Sequence, residues 1–314
     1  MDIPVYLFTG FMDSGKTSLI TQTLLENDFG VGARSLIIAC EDGEIEYDEE
    51  KLAEKKIIVV GVSSKEEFTK EYLEDCDQTL KPDQVFIEYN GTWEAAMFLE
   101  MDLPKDWVLV QSLATVDAST YEMYLGNMRA MMMEQVFHTD VVIFNRCTEE
   151  TPKGKFRRTI KAVNRKAQIV YEREDGVIDD NDMEELPYDL SQDEIEITDA
   201  DYGIFYLDVQ EDPKKYEGKT IKFLALVYRP DKLAKKPMFI PGRFAMTCCV
   251  DDIQFIGLKC KYDRANEIAH KSWVDLTAEI HVEFAKEYRG KGPVLYAKKV
   301  EPAAEPEEGL VYFT

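Results

Sequence analysis

The 314-residue chain is poor in positive charge: 37 Lys and Arg stand against 61 Asp and Glu, a net charge of −24. Neutralising a phosphate backbone needs clustered cations, so a general nucleic-acid binder is excluded. No apolar run approaches the ~18 residues of a membrane-spanning helix, so no integral membrane segment is expected. The N-terminus, Met1-Asp2-Ile3-Pro4, shows neither a charged leader region nor a cleavage site, and a cytoplasmic location is expected. Six cysteines, Cys40, Cys76, Cys147, Cys248, Cys249 and Cys260, are too sparse for a disulfide scaffold.

The charge that is present is uneven. Residues 201–314 hold 18 basic and 18 acidic residues, so residues 1–200 carry the whole net charge. Just before that step, Glu172 to Asp201 contains 14 acidic residues and one Arg, with Pro187 and little apolar periodicity. It reads as a linker or solvated edge. The expected organisation is a domain over 1–190, an acidic linker over 191–202, and a second domain over 203–314.

The first domain alternates strand-like and helix-like runs. Val5–Thr9, Ser35–Ala39, Lys56–Gly61, Gln84–Glu88, Val108–Val116 and Thr139–Asn145 read as strands. Ser18–Leu25, Lys65–Cys76, Trp93–Met101 and Tyr121–Val136 read as helices. This alternation predicts an α/β fold, a mostly parallel sheet with helices on both faces. In the second domain Gly203–Val209, Thr220–Tyr228, Met238–Cys248, Ile253–Lys261, Trp273–Val282 and Val294–Val300 all read as strands. The expectation there is a small, mainly antiparallel barrel or sandwich.

One motif carries chemistry. Gly10-Phe11-Met12-Asp13-Ser14-Gly15-Lys16-Thr17 follows a strand and opens a helix, the context of a phosphate-binding P-loop. Its glycines let successive N–H groups point at phosphate oxygens, and the helix N-terminus adds positive potential. Lys16 reaches the β- and γ-phosphates, and the Thr17 hydroxyl is placed to ligate Mg²⁺. Gly10, Asp13, Ser14, Gly15, Lys16, Thr17 and Ser18 form the expected cradle. Glu88 ends an apolar strand three residues before Gly91. Its carboxylate suits Mg²⁺ or its water, and Gly91 permits close approach to a γ-phosphate. Asn145 and Arg146 end a later strand, where a base-recognition loop belongs.

Together these residues resemble the CobW/HypB/UreG P-loop metallochaperone GTPases. The likeness runs over roughly residues 3–180, with Glu88…Gly91, Thr115-Val116-Asp117-Ala118, Asn145 and Asn164-Arg165-Lys166-Ala167. It implies GTP binding, slow Mg²⁺-dependent hydrolysis and metal delivery, often of zinc, to a metalloprotein client. Glu41 and Glu44, in the acidic loop after the second strand, resemble that family's switch and are candidates for sensing Mg²⁺ or the γ-phosphate. The likeness breaks in two places. Asn145-Arg146-Cys147-Thr148 replaces Asn-Lys-x-Asp, and Thr148 offers no two-oxygen anionic acceptor to guanine. GTP follows from the resemblance, and ATP stays open. Gly61-Val62-Ser63-Ser64 stands where the family carries Cys-x-Cys-Cys.

In the second domain Phe239–Phe244, Thr247–Asp252 and Trp273-Val274 resemble the soluble domain of YcgQ-type proteins, which implies an OB-like barrel. Cys248 and Cys249 are candidate Zn²⁺ ligands there, weighed against buried cysteines acting as small hydrophobes. Two other functions stay open: a nucleotide-sensing interaction module with little turnover, and a zinc-binding protein using Cys248-Cys249. The oligomeric state is not legible.

Overall fold

The computed structural model describes residues 2–313 except 28, 42, 44, 180–185, 234–235 and 248–251. The chain forms two compact units, Met1–Lys153 with Val163–Asp182, and Gly154–Ala162 with Met183–Thr314.

Along the first part of the chain run β1 (Ile3–Thr9), α1 (Lys16–Leu25), β2 (Ser35–Ala39), α2 (Glu49–Glu54), β3 (Ile57–Gly61), α3 (Lys70–Leu80) and β4 (Gln84–Glu88). They are followed by α4 (Ala95–Leu99), β5 (Trp107–Asp117), α5 (Tyr121–Asn127), α6 (Arg129–Phe137), β6 (Val141–Cys147), α7 (Lys153–Val163) and β7 (Gln168–Arg173). The seven strands make one sheet in the order β3-β2-β4-β1-β5-β6-β7, with every pairing parallel. Strand alternation divides the apolar side chains between two cores. Val5, Leu7, Leu36, Ile38, Val85 and Ile87 pack on one face, while Phe8, Ile37 and Phe86 pack with Ile20 and Leu24 of α1 on the other. Because β1 lies between β4 and β5, the direction of winding changes there. Ligand crevices of such sheets open at the carboxyl ends of the strands at that point.

Two helices differ from expectation. The helix read from Lys65 starts at Lys70, because Thr69 Oγ1 caps it by accepting from the Tyr72 N–H at 3.2 Å. The helix read over Tyr121–Val136 breaks into α5 and α6 at Met128, whose φ of −138° and ψ of 37° are not helical.

The second unit contains β8 (Glu194–Glu196), α8 (Tyr202–Glu211), β9 (Thr220–Tyr228), β10 (Met238–Met246), β11 (Ile253–Gly257), β12 (Lys259–Lys261), β13 (Trp273–Ala285), β14 (Gly290–Pro302) and β15 (Leu310–Val311). Five of these close a barrel: β9 pairs β10, β10 pairs β12, β12 pairs β14, β14 pairs β13, and β13 returns to β9. Only the β12–β14 step of that ring is parallel. Alternate residues of β9, Ile221, Phe223, Ala225 and Val227, fill the interior. Glu194–Glu196, within the stretch read as acidic linker, pairs with Thr220–Lys222.

The segment read as a strand over Gly203–Val209 is instead part of helix α8. Seven of its ten residues are buried, so the helical period is hidden under an almost continuous apolar run. Gly203 is needed there: a Cβ would lie 2.0 Å from the Tyr312 carbonyl oxygen. The single strand read over Ile253–Lys261 is two, β11 and β12, separated by the buried Leu258. Inside the barrel Arg243 is fully buried, paired with Asp199, bonded to the Glu308 carbonyl at 3.1 Å, and set 5.1 Å from the Trp273 ring.

Candidate functional site

The loop between β1 and α1 curls because three of its residues take left-handed backbone. Gly10 has φ 126°, Asp13 φ 58° and Gly15 φ 101°. Glycine is required at Gly10 on space as well, and at Gly15 a side chain would displace Asn145. A Cβ on Gly10 would lie 2.3 Å from the Thr115 carbonyl oxygen, and one on Gly15 2.5 Å from Asn145 Nδ2. Ser14 is fixed from behind by the Thr115 hydroxyl at 2.7 Å, and the Gly10 N–H donates to Gln135 Oε1 at 3.3 Å.

Lys16 is the best-enclosed cation of the site, 2% exposed. Its ammonium donates to the carbonyls of Gly10 at 2.7 Å and Phe11 at 2.8 Å, and pairs with the buried Glu41. The other oxygen of Glu41 accepts from the Gly91 N–H at 3.1 Å. Gly91 has no room for a side chain, since its Cβ would meet the Gly10 carbonyl oxygen at 2.3 Å. Asn90 ties the two strand ends together by donating to the Cys40 carbonyl at 3.1 Å.

Thr17 and Glu88 come together from α1 and β4: the Thr17 hydroxyl donates to Glu88 Oε1 at 2.6 Å. Tyr47 donates to Glu88 Oε2, also at 2.6 Å. Burial raises the Glu88 carboxyl above its ordinary 4.5, with nearby Glu41 adding to the effect and the Thr17 and Tyr47 hydroxyls and Lys16 opposing it. The same burial, reinforced by Glu88, raises the Tyr47 phenol and the Cys40 thiol, so both stay protonated at neutral pH.

At the end of β6, Asn145 Nδ2 donates to the Ser14 carbonyl at 2.6 Å and Arg146 to the Asp13 carbonyl at 3.1 Å. Arg146 also pairs with Asp117, whose other oxygen accepts from the Ser119 N–H at 2.8 Å and hydroxyl at 2.6 Å. Burial would raise the Asp117 carboxyl, but the Ser119 and Arg146 bonds outweigh it and hold it below its ordinary value.

Asp13, Gly15, Lys16, Thr17, Ser18, Glu41, Glu88 and Arg146 thus line one cleft at the switch in winding. Of the residues named as Mg²⁺ candidates, Thr17 and Glu88 touch, whereas Glu41 faces Lys16 and Gly91. Glu44, Cys248 and Cys249 lie outside the described residues. Tyr47, Thr115, Gln135 and Asn90 also serve the site. Thr115 lies within the family likeness, but no local pattern marks the contacts these residues make, because each acts through a partner between 41 and 125 positions distant. Asn164 supports the sheet, donating to the Val136 and Thr139 carbonyls at 2.9 and 2.8 Å.

Hard oxygen donors and a glycine cradle fit Mg²⁺ and a phosphate chain. Among the described residues no group of three or more His, Cys, Asp or Glu could hold a metal by itself, and Cys40, Cys76, Cys147 and Cys260 are buried free thiols.

Fold and cradle define a P-loop nucleotide-binding domain followed by a closed five-stranded barrel. Residues 4–171, more than half the chain, match the model of the CobW/HypB/UreG nucleotide-binding domain, and the chain belongs to that family. Residues 175–313 match the DUF1980 C-terminal domain. The UPF0703 protein YcgQ of Bacillus subtilis (strain 168) is 22% identical over 122 residues, which are 39% of this chain and 42% of YcgQ, so the chain spans less than half of that relative. Two solved structures are similar at low identity. Zn(II)-bound YjiA GTPase from E. coli is 20% identical, with a TM-score of 0.44, over 56% of this chain and 59% of that one. The hydrogenase maturation factor HypB from Archaeoglobus fulgidus is 15% identical, with a TM-score of 0.38, over 55% and 81%.

Proposed function

We propose that the chain binds GTP with Mg²⁺ at the P-loop and hydrolyses it slowly, in the service of metal handling. The observation that carries this reading is the convergence of Lys16, Thr17, Glu88 and the Gly91 amide on one cleft at the carboxyl ends of β1 and β4. Lys16 and the loop amides offset phosphate charge. Thr17 and Glu88 would hold Mg²⁺, which when bound neutralises charge on the terminal phosphates. Tyr47 fixes the rotamer of Glu88 by holding its second oxygen. Glu88 accepts a proton or orients a water only in its ionised form, and its enclosure keeps bulk water away.

Guanine is favoured by family membership; Asn145 and Arg146 brace the P-loop by donating to the Ser14 and Asp13 carbonyls. The barrel is read as OB-like: its strand ring, with one parallel step, suits a five-stranded Greek-key barrel. Zinc is the metal proposed, by family likeness. Cys248 and Cys249 are its proposed ligands in this chain, in the connection between β10 and β11. Zinc titration of wild type against Cys248→Ser/Cys249→Ser tests that assignment, and equal affinity ends it. A metalloprotein client and a cytoplasmic location are part of the same proposal.

Turnover decides between this function and nucleotide sensing without hydrolysis. Phosphate release from GTP with Mg²⁺, lost in Glu88→Gln while binding persists, supports the GTPase. Tight binding with no release in wild type would favour the sensor.

A further inference from the structure

The Glu41 carboxylate holds the two donors that the proposed function assigns to a terminal phosphate. One oxygen sits on Lys16 Nζ and the other on the Gly91 amide. An ammonium has three protons, and those of Lys16 are already matched by the Gly10 carbonyl, the Phe11 carbonyl and Glu41. Two of those acceptors are backbone of the loop itself. Only the third is an anion on a movable side chain. The cleft has about 50 Å³ of free volume around it, far below the several hundred Å³ of an ordinary small-molecule site.

We propose that Glu41 is a built-in occupant of the γ-phosphate seat, which a nucleoside triphosphate displaces and a diphosphate leaves in place. The proposal rests on the nucleotide reading above and adds its regulation. A planar carboxylate bridging a cation and an amide imitates two of the three oxygens of a terminal phosphate. A γ-phosphate and the Glu41 carboxylate cannot both hold the Gly91 amide, and the two anions repel at contact distance, so binding of the triphosphate requires Glu41 to leave, whereas a β-phosphate beside Lys16 leaves the Gly91 end of Glu41 seated. A diphosphate ends short of Gly91 and does not compete for that amide.

The departure of Glu41 has a route to the rest of the site. The Cys40 N–H donates to the Glu88 carbonyl at 2.9 Å, and Asn90 holds the Cys40 carbonyl. Displacing Glu41 therefore loads the hydrogen bonds that join the ends of the neighbouring strands β2 and β4 beside Glu88. Glu41 is a positioning and gating residue here, without contact to Thr17 among the bonds of the site.

Competition against a fluorescent GDP, with Mg²⁺ and the full chain, tests the proposal on wild type, Glu41→Ala and Glu41→Gln. The expected result is that Glu41→Ala tightens GTP by about tenfold or more, a coupling of ordinary size, and shifts GDP by less than about threefold. Glu41→Gln, which keeps an acceptor for Gly91 without the charge, should fall between. It also guards against poor folding of the alanine variant, which circular dichroism reports directly. Equal shifts for GTP and GDP, or weaker GTP binding in both variants, would overturn the proposal while leaving the nucleotide reading intact. Absence of any nucleotide binding in all three proteins would overturn the nucleotide reading and the proposal with it.

Discussion

The Thr17 hydroxyl donates to Glu88 Oε1 at 2.6 Å, joining the first turn of α1 to the end of β4 inside a buried pocket. Glu88→Gln tests what this contact is for. Hydrolysis should fall by about 100-fold or more, the size of a lost general base or metal carboxylate, with nucleotide affinity kept within a few fold. The same variant makes a stability prediction. The folded-state carboxyl is raised above 4.5, so its contribution is fullest below that pH and is lost as pH rises through the folded value. Glu88→Gln, which cannot ionise, should melt higher than wild type near neutral pH in the absence of Mg²⁺. The gain should vanish at about pH 4, where a carboxyl of ordinary pKa is itself largely protonated.

Lys16 and Glu41 form a buried pair, with side chains 2% and 4% exposed. Removing one charge leaves the other enclosed. Lys16→Met should cost about 3–5 kcal/mol of stability, and adding Glu41→Gln should restore most of it. Chemical denaturation of the four members of the cycle checks this, and additive losses would refute a direct pair.

Gly91→Ala puts a methyl 2.3 Å from the Gly10 carbonyl oxygen and 2.7 Å from Phe11 Cα. Both are backbone, so relief requires the P-loop to shift. The expected cost is about 1–3 kcal/mol, typical of overpacking, with weakened triphosphate binding. Gly61→Ala has nothing within 4 Å of its new atom and serves as the control.

Asp117 is held below its ordinary pKa, against the upward effect of burial, by Ser119 and Arg146. Its contribution is present above the unfolded value of 3.8 and is lost as pH falls through the folded value. Asp117→Asn should therefore flatten the acid limb of a melting-temperature profile, with little change in its shape above about pH 6. An unaltered acid limb would show that Ser119 and Arg146 do not hold the Asp117 carboxylate in solution.

Much of this site could be read from the chain because its chemistry is local. Gly10 to Thr17 is a contiguous motif, and Glu88 announces itself as a carboxylate ending an apolar strand. What escaped the sequence depends on distance. Tyr47 reaches Glu88 across 41 positions and Glu41 reaches Gly91 across 50, so neither contact has a short-range signature. Glu41 was legible as a candidate in the acidic loop after the second strand, but its burial was not, and its side chain is among the least exposed of the site. In the second unit the mainly antiparallel β character was legible in alternating strands such as Thr220–Tyr228, whereas alternation alone left barrel and sandwich open. Helix α8 was not, because burial on nearly every side erases the period that tells helix from strand.

The proposed function stands or falls on Lys16 and its cleft holding a guanine nucleoside triphosphate. The most direct measurement is competition of GTP and ATP for a fluorescent nucleotide with Mg²⁺, comparing Glu41→Gln with Lys16→Met/Glu41→Gln. That pair removes Lys16 without burying an unpaired carboxylate. The expected result is displacement by GTP in preference to ATP, with GTP affinity reduced by about 100-fold in the double variant, as for a lost phosphate-binding cation. Equal displacement by both nucleotides would contradict the guanine assignment, and binding indifferent to Lys16 would contradict the site itself.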